Sequence, residues 1–307
     1  MEKFTMIYII GAGAIGKALT VFLKNAGKEV ILIRGSVDDG TVHTGNIRVE
    51  MPSGVVHEAE IKIASLSAFD SLQGMVVLAN KSYGNENLAI TLRPKIGTSP
   101  VVLLQNGLGV ERPFMTAGFE QVYRCVLFVT SQSISEDTIR FKPVAVCPVG
   151  IEKGNASILK RIVQELNTPQ FEFRSEENIQ PVIWKKAIVN SVFNSVCPLL
   201  DTDNGIFHRN VAALEIARKV IAECVAVAAF NGVMLTSLEV EESLLKISKL
   251  SDGQLISTYQ DILAKRRTEI DTLNFELVRV AGNVNVFNTK LLGELVRLKA
   301  DMSGGII

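Results

Sequence analysis

The sequence predicts an α/β domain followed by an all-helical one, and two observations carry that prediction. The first is Ile7-Tyr8-Ile9-Ile10-Gly11-Ala12-Gly13-Ala14-Ile15-Gly16, an apolar, β-branched run that enters G-x-G-x-x-G. The second is a change of periodicity: short apolar runs separated by turn residues fill the first part of the chain, and i, i+3, i+4 spacing fills the rest. The expected boundary sets residues 1–174 apart from 175–307, with the connection near Pro169, Ser175 and Asn178.

The glycine-rich turn opens a β-α-β unit. Ile15, Leu19, Phe22, Leu23 and Ala26 mark one helix face, Gly27 suits the left-handed residue that ends a helix, and Val30 to Ile33 reads as the next buried strand. Each glycine has a physical reason to be there. Gly11 allows the tight turn, Gly13 allows close approach of a pyrophosphate, and Gly16 allows close helix–strand packing. The backbone of Gly11, Ala12, Gly13, Ala14, Ile15 and Gly16 would then hold the anion at a helix N-terminus. This is the arrangement of a Rossmann-type dinucleotide site; the alternative is a tight turn with no ligand. At the end of the second strand an NAD site usually carries an acid. Here the residues are Ile33-Arg34-Gly35-Ser36. Arg34 could pair with a 2′-phosphate and Ser36 could donate to it, so the expected cofactor is NADP(H); the alternative for Arg34 is a solvated surface arginine.

Further along, Ile47–Met51 and Val55–Ala59 flank Pro52-Ser53-Gly54 as a hairpin. Met75 to Ala79 and Val101 to Leu104 read as strands buried on both faces. They end in Asn80-Lys81-Ser82-Tyr83-Gly84 and Gln105-Asn106-Gly107-Leu108-Gly109. Ligands of open parallel sheets bind outside the carboxyl ends of the strands, which sets Lys81 and Asn106 beside the cofactor crevice. A helix is expected over 87–92, strands over 123–130, 138–142 and 145–149, and a helix over 155–166. Expected helices of the second half cover 179–197, 211–230, 238–250, a piece after 257, 269–280 and 288–299.

In the helix over 181–197, Lys186, Asn190 and Asn194 stand at i, i+4 and i+8 among Trp184, Ala187, Ile188, Val189, Val192, Phe193 and Val196. Asparagine is a poor helix former and costly to bury unpaired, so this stripe points to a polar wall on a wet cleft. The alternative is the exposed face of a surface helix.

The whole chain bounds the remaining readings. Acidic and basic residues balance at 32 each among 307, which gives no electrostatic argument for nucleic acid or an anionic membrane. No apolar run approaches transmembrane length. Cys125, Cys147, Cys197 and Cys224 are scattered singly, as reduced, buried residues of a cytosolic protein. His43, His57 and His208 form no constellation, and no His/Cys cluster has metal-ligand spacing; no metal is expected.

Taken together these motifs resemble the ketopantoate reductase (2-dehydropantoate 2-reductase) family over nearly the whole chain. The resemblance rests on the glycine turn, the arginine after the second strand, Lys81, Gln105-Asn106-Gly107-Leu108-Gly109, Trp184-Lys185-Lys186 with Asn190 and Asn194, and Asn204-Gly205. Its most specific part is Ser257-Thr258-Tyr259-Gln260-Asp261-Ile262 followed by Arg267-Thr268-Glu269-Ile270-Asp271 and Asn274. The resemblance implies NADPH-dependent reduction of a small 2-keto acid, ketopantoate, to pantoate on the route to pantothenate and coenzyme A. It implies Lys186 as proton donor, Glu269 as the carboxylate positioning substrate and lysine, and Asn106 at the nicotinamide end and substrate. Asn190, Asn194 and Ser257 are implied as substrate-binding, with Asn204 a further polar residue and Lys81 a second lysine at the site. A homodimer is an expectation by analogy only. The sequence departs from the family pattern at Ser195, where proline is common, at Phe275, where glycine is usual, and in a short loop over 282–288. Other classes that share the glycine turn are a different two-domain sugar-acid or hydroxy-acid dehydrogenase, which would lack the block from Ser257 to Asp271, and a non-catalytic NADP(H) sensor, which has no need for Lys186, Asn190, Asn194 and Glu269 together.

One local expectation concerns Ser257 and Glu269. A straight helix between them would set them roughly 18 Å apart and about 120° around the axis. The chain is therefore expected to break between them, with Ser257-x-x-Gln260 and Thr268-x-x-Asp271 resembling two capping boxes.

Overall fold

Alternate residues of the central strands serve opposite faces of one sheet, and this organises the first part of the chain. The structure, a computed structural model, describes residues 4–35 and 37–304; the Ser36 of the expected phosphate contact lies outside the described residues. Contacts divide the chain into two units, 1–106 with 110–179 and 107–109 with 180–307.

The first unit contains an eleven-stranded sheet. Its strands are β1 (Ile7–Ile10), β2 (Val30–Ile33), β3 (Val42–Glu50), β4 (Val56–Ala64), β5 (Met75–Leu78), β6 (Val101–Leu103), β7 (Val122–Cys125), β8 (Val129–Ser133), β9 (Thr138–Pro143), β10 (Cys147–Lys153) and β11 (Phe173–Ser175). Across the sheet the order is β11-β10-β7-β6-β5-β1-β2-β4-β3-β9-β8. Strands β7, β6, β5, β1, β2 and β4 run parallel, as expected where helices cover both faces. Ile7, Ile9, Leu32, Val77 and Val102 pack on one face with α1 (Ala14–Asn25) and α4 (Ala156–Leu166). Tyr8, Ile10, Ile31, Val76 and Leu103 pack on the other with α2 (Asn85–Ile96) and α3 (Arg112–Thr116). Each such buried side chain contributes about 1.5–3 kcal/mol relative to exposure.

Two differences from the sequence reading have simple causes. The apolar run over 123–130 is two strands. The piece over 122–125 pairs with β6 and β10, and the piece over 129–133 pairs with β9 at the far edge. Composition cannot distinguish a run that changes partners from one that does not. Strand β11 has only three residues, too few for a periodic signal.

The second unit holds α5 (Gln180–Leu199), α6 (Ile206–Arg209), α7 (Val211–Phe230), α8 (Ser237–Leu250), α9 (Ser257–Leu263), a 3-10 turn (Ile270–Thr272), α10 (Asn274–Arg279) and α11 (Phe287–Met302). Helix α5 is the axis of this unit and touches α7, α8, α9, α11 and the 3-10 turn. The expected break after Ser257 is present: α9 ends at Leu263, and Lys265 takes φ +54°. The two expected capping boxes are not. Helix α9 starts after Ile256 without a side-chain cap of its own, and the 3-10 turn after Glu269 has none either. A capping box forms instead at Thr236 and Glu239, before α8. No helix among the described residues is long and apolar enough to cross a membrane.

All four cysteines are reduced and buried. Burial pushes the thiols of Cys197 and Cys224 up to about 12. The native protein should therefore leave these thiols unmodified by a thiolate-trapping disulfide reagent at neutral pH, and unfolding in denaturant should release all four. Rapid native labelling of Cys224 would contradict this packing.

Candidate active site

In the first unit the glycine turn has the geometry its spacing promised. Gly11 sits at φ +118°, and a Cβ there would lie 2.4 Å from the Asn80 backbone nitrogen. A Cβ on Gly16 would lie 2.0 Å from the Gly11 carbonyl oxygen. Around Gly13, which starts α1, nothing lies within 4 Å of a Cβ position. That open space faces backbone N–H groups at a helix start, which fits a pyrophosphate. Ala12, Ala14 and Ile15 complete the turn.

Arg34 is half-buried and paired. Its guanidinium donates to Asp39 Oδ1 at 2.5 Å and to the Thr41 hydroxyl, while its Nε is buried without a partner among the described residues. Hydrogen bonds from the Thr41 hydroxyl and N–H, and then from Arg34, hold the Asp39 carboxyl far below the usual carboxylate range. The sequence reading looked for an acid only at the strand end. The acid here arrives from the loop, which Asp39 folds back by accepting the Thr41 N–H at 3.0 Å. Asn80 was also missed. Its side-chain N–H donates to the Lys81 carbonyl at 2.9 Å, which leaves Oδ1, beside Gly11 and Gly35, buried and without a partner among the described residues. An orphaned buried acceptor at a dinucleotide turn is suited to a ribose hydroxyl. Lys81 is exposed at the carboxyl end of β5.

The loop after β6 is fastened before it leaves the sheet. Gln105 and Asn85 exchange two amide hydrogen bonds of 2.8 Å, and Asn85 also donates to the Val110 carbonyl. Asn106 follows, half-buried. Gly107 to Gly109 go with the second unit, where the Leu108 N–H donates to the Thr272 carbonyl at 2.9 Å. Gly107 is at φ +99°, and a Cβ there would meet Thr272 at 2.6–2.7 Å.

In the second unit α5 is buried on nearly all sides. From Ile183 to Pro198 only Lys185, Lys186 and Asn190 are partly open. This narrow strip excludes the exposed face of a surface helix. Lys185 is tied to Glu239 of α8 at 2.7 Å, and Lys186 and Asn190 are the other two half-buried residues of this strip. Asn194, one turn on, is 1% exposed and has both ends of its amide committed. Its Nδ2 donates to the Asn190 carbonyl at 2.9 Å, and its Oδ1 accepts from the Ser257 hydroxyl at 3.2 Å and the Thr258 N–H at 3.1 Å. Asn194 thus caps α9 from a different helix, and it presents Ser257 at the helix start. Glu269 is half-buried just before the 3-10 turn that α5 touches. Asn204 is buried, its backbone is held by Gln254 and Ser248, and its Oδ1 has no partner among the described residues.

Two of the expected departures from the family pattern, Ser195 and Phe275, are engaged in packing. The Ser195 hydroxyl donates to the Ser191 carbonyl at 2.5 Å within α5. Phe275 lies under the Arg297 guanidinium, 3.9 Å from its ring centroid, against Gly293 of α11.

A parallel sheet with a glycine turn, followed by a helical unit with a half-open lysine among asparagines, defines a nicotinamide-dinucleotide-dependent oxidoreductase. The family description "Ketopantoate reductase PanE/ApbA" matches residues 7–146, and "Ketopantoate reductase PanE/ApbA C terminal" matches 178–300. The chain belongs to the ketopantoate reductase family. The 2-dehydropantoate 2-reductase of Pyrococcus horikoshii is 28% identical, over 97% of this chain and 99% of that protein. The enzyme of that name from Streptococcus pyogenes is 26% identical, over 96% and 97%. Among solved structures, a dimeric ketopantoate reductase from Staphylococcus aureus superposes with TM-score 0.81 at 19% identity, covering 97% of this chain and all of that one. A D-mandelate dehydrogenase solved with NADH and anilino(oxo)acetate gives TM-score 0.84 at 23% identity, covering 98% and 100%. At these identities the two structures speak for the fold alone.

Replacing Asn194 with alanine should leave the Thr258 N–H without its acceptor and cost about 1–3 kcal/mol of stability. Denaturant unfolding measures this; an unchanged midpoint would mean that α9 does not depend on the cap.

Proposed function

We propose that this chain reduces ketopantoate to pantoate with NADPH, feeding pantothenate and coenzyme A synthesis. The observation that carries this reading is the bond set of Asn194, which fastens Ser257 to the helix bearing Lys186 and Asn190. A polar wall thereby gains hydroxyl, amide and ammonium groups suited to a keto acid with a hydroxyl tail. NADPH, when bound, supplies the hydride. The glycine turn holds the pyrophosphate, and the Arg34 guanidinium pairs with the 2′-phosphate. Lys81 and Asn106 serve the cofactor side, and Asn106 also touches substrate.

Lys186 stabilises the negative charge that builds on the keto oxygen and then gives it a proton. Glu269 orients that lysine and binds the substrate hydroxyl. Asn190 and Ser257 hydrogen-bond substrate, Asn204 offers its unpaired Oδ1, and Asn194 acts through Ser257 as a positioning residue. Family and relatives' names support this reading, as does the block from Ser257 to Asp271.

Lys186→Ala should lower kcat by roughly 10²–10⁴ while NADPH affinity barely changes. Lys185→Ala is the control, because its ammonium is already paired with Glu239. If Lys186→Ala raised KM with kcat almost intact, the lysine would be a carboxylate binder and the proton donor would lie elsewhere.

A second reading follows from Asp39. It occupies Arg34 and provides the acid that an NAD site uses for a ribose hydroxyl. NADH with a different 2-keto acid is the reaction class it favours. Oxidation of NADPH and NADH, each followed optically with ketopantoate and with aryl and branched 2-keto acids, separates the two. Under the NADPH reading Asp39→Ala should raise NADPH affinity by freeing Arg34, and Arg34→Ala should lower it. Loss of NADH affinity in Asp39→Ala, with NADPH binding unmoved, would favour the second.

A further inference from the structure

The backbone of Asn204 is fully committed, and its side chain is not. The residue is 6% exposed. Its N–H donates to the Gln254 carbonyl at 2.9 Å, and its carbonyl accepts from the Ser248 hydroxyl at 2.7 Å. Oδ1 is buried without a partner among the described residues. An acceptor left open above so firmly bonded a backbone suits a donor brought by a ligand.

Ser248 is bonded in an uncommon way. A serine inside a helix can return its hydroxyl to the carbonyl four residues back. Ser243 does so to Glu239 at 2.9 Å, and Ser251 to Ile247 at 2.7 Å. Ser248 lies between them, fully buried on α8, and donates outward to Asn204. His208 of α6 decides this. Its backbone N–H lies 3.3 Å and its ring Nδ1 3.0 Å from the Ser248 oxygen. A hydroxyl has one proton, and here the Asn204 carbonyl takes it. Nδ1 must therefore carry a hydrogen and donate. Two N–H groups of His208 thus hold the oxygen in the rotamer that faces Asn204, against the competing Leu244 carbonyl of its own helix. Gln254, the other anchor of Asn204, lies three residues before Ser257, whose hydroxyl is held by Asn194. One bonded series runs from His208 through Ser248 and Asn204 to the segment that delivers Ser257.

We propose that Ser248, oriented by His208, is a positioning residue for substrate: it fixes the backbone of Asn204 so that Oδ1 is presented to the keto acid. The inference rests on the reductase reading and extends it to two residues that act at one remove from the substrate.

The test is steady-state kinetics on the full chain. Asn204 serves binding and not proton transfer, so Ser248→Ala should raise KM for the keto acid roughly threefold to tenfold, with kcat and the KM for NADPH within about twofold. Ser243→Ala is the control and should leave KM unchanged. In an Asn204→Ala background Ser248→Ala should add nothing, because its route to substrate is already gone, whereas a packing role would add its full effect. His208→Leu should act as Ser248→Ala does. His208→Asn, whose amide can donate from the place of Nδ1, should restore the KM, and this pair decides the matter if Ser248→Ala does not fold. A wild-type chain that turns over no 2-keto acid would overturn the reductase reading and the positioning role with it. An active chain would overturn the positioning role alone if Ser248→Ala left KM unmoved, or kept its full effect in the Asn204→Ala background, or if His208→Asn failed to restore what His208→Leu loses.

Discussion

Helix starts leave N–H groups that the helix itself cannot satisfy, and the helical unit meets this constraint with side chains from other helices. Asn194 of α5 supplies the acceptor for the start of α9. Glu223 of α7 does the same for α11, accepting from Asn288 N–H at 3.0 Å and Thr289 N–H at 2.8 Å, with the Asn288 amide and the Thr289 hydroxyl as further donors. A seven-residue helix such as α9 is too short to persist by itself. Its place and direction are therefore set by α5, and so is the place of Ser257. The helix that carries Lys186 also fixes the place of Ser257.

Much of this was legible in the sequence because it rests on local rules. The glycine turn requires Gly11, Gly13 and Gly16 whatever the rest of the chain does. Fully buried strands appear as continuous apolar runs, and long helices such as α7 declare themselves by period. The break between Ser257 and Glu269 followed from arithmetic on helix geometry. What escaped depends on residues distant in the chain or on loop conformation. Ser257 has the look of a local cap in sequence, yet Asn194 takes its hydroxyl from 63 positions away. Asp39 is invisible as a partner of Arg34 until the loop folds back. Asn80 gains meaning only when its side-chain oxygen proves to have no partner among the described residues.

The family departures illustrate a related point. A residue that differs from the expected family pattern beside a buried asparagine invites a functional explanation. Phe275 follows the buried Asn274, but its ring serves as a platform for Arg297. Ser195 returns its hydroxyl to its own helix. Both side chains are accounted for by contacts inside the helical unit.

The sheet's extension through β3 and β9 bears on how the chain is made. Strand β3 pairs with β9 in the register Arg48 with Thr138, a separation of 90 residues. At roughly 5–20 residues per second, a ribosome needs about 5–18 s to make that stretch. Once β4 has been made, β3 has it on one side and an open edge on the other until β9 follows. The strand is suited to waiting. His43, Thr44, Asn46, Arg48 and Glu50 keep most of it polar, and only Ile47 and Val49 are buried. Polar and charged side chains on an open edge discourage pairing with another nascent chain. The composition of β3 thus protects a half-synthesised protein as well as shaping the finished sheet.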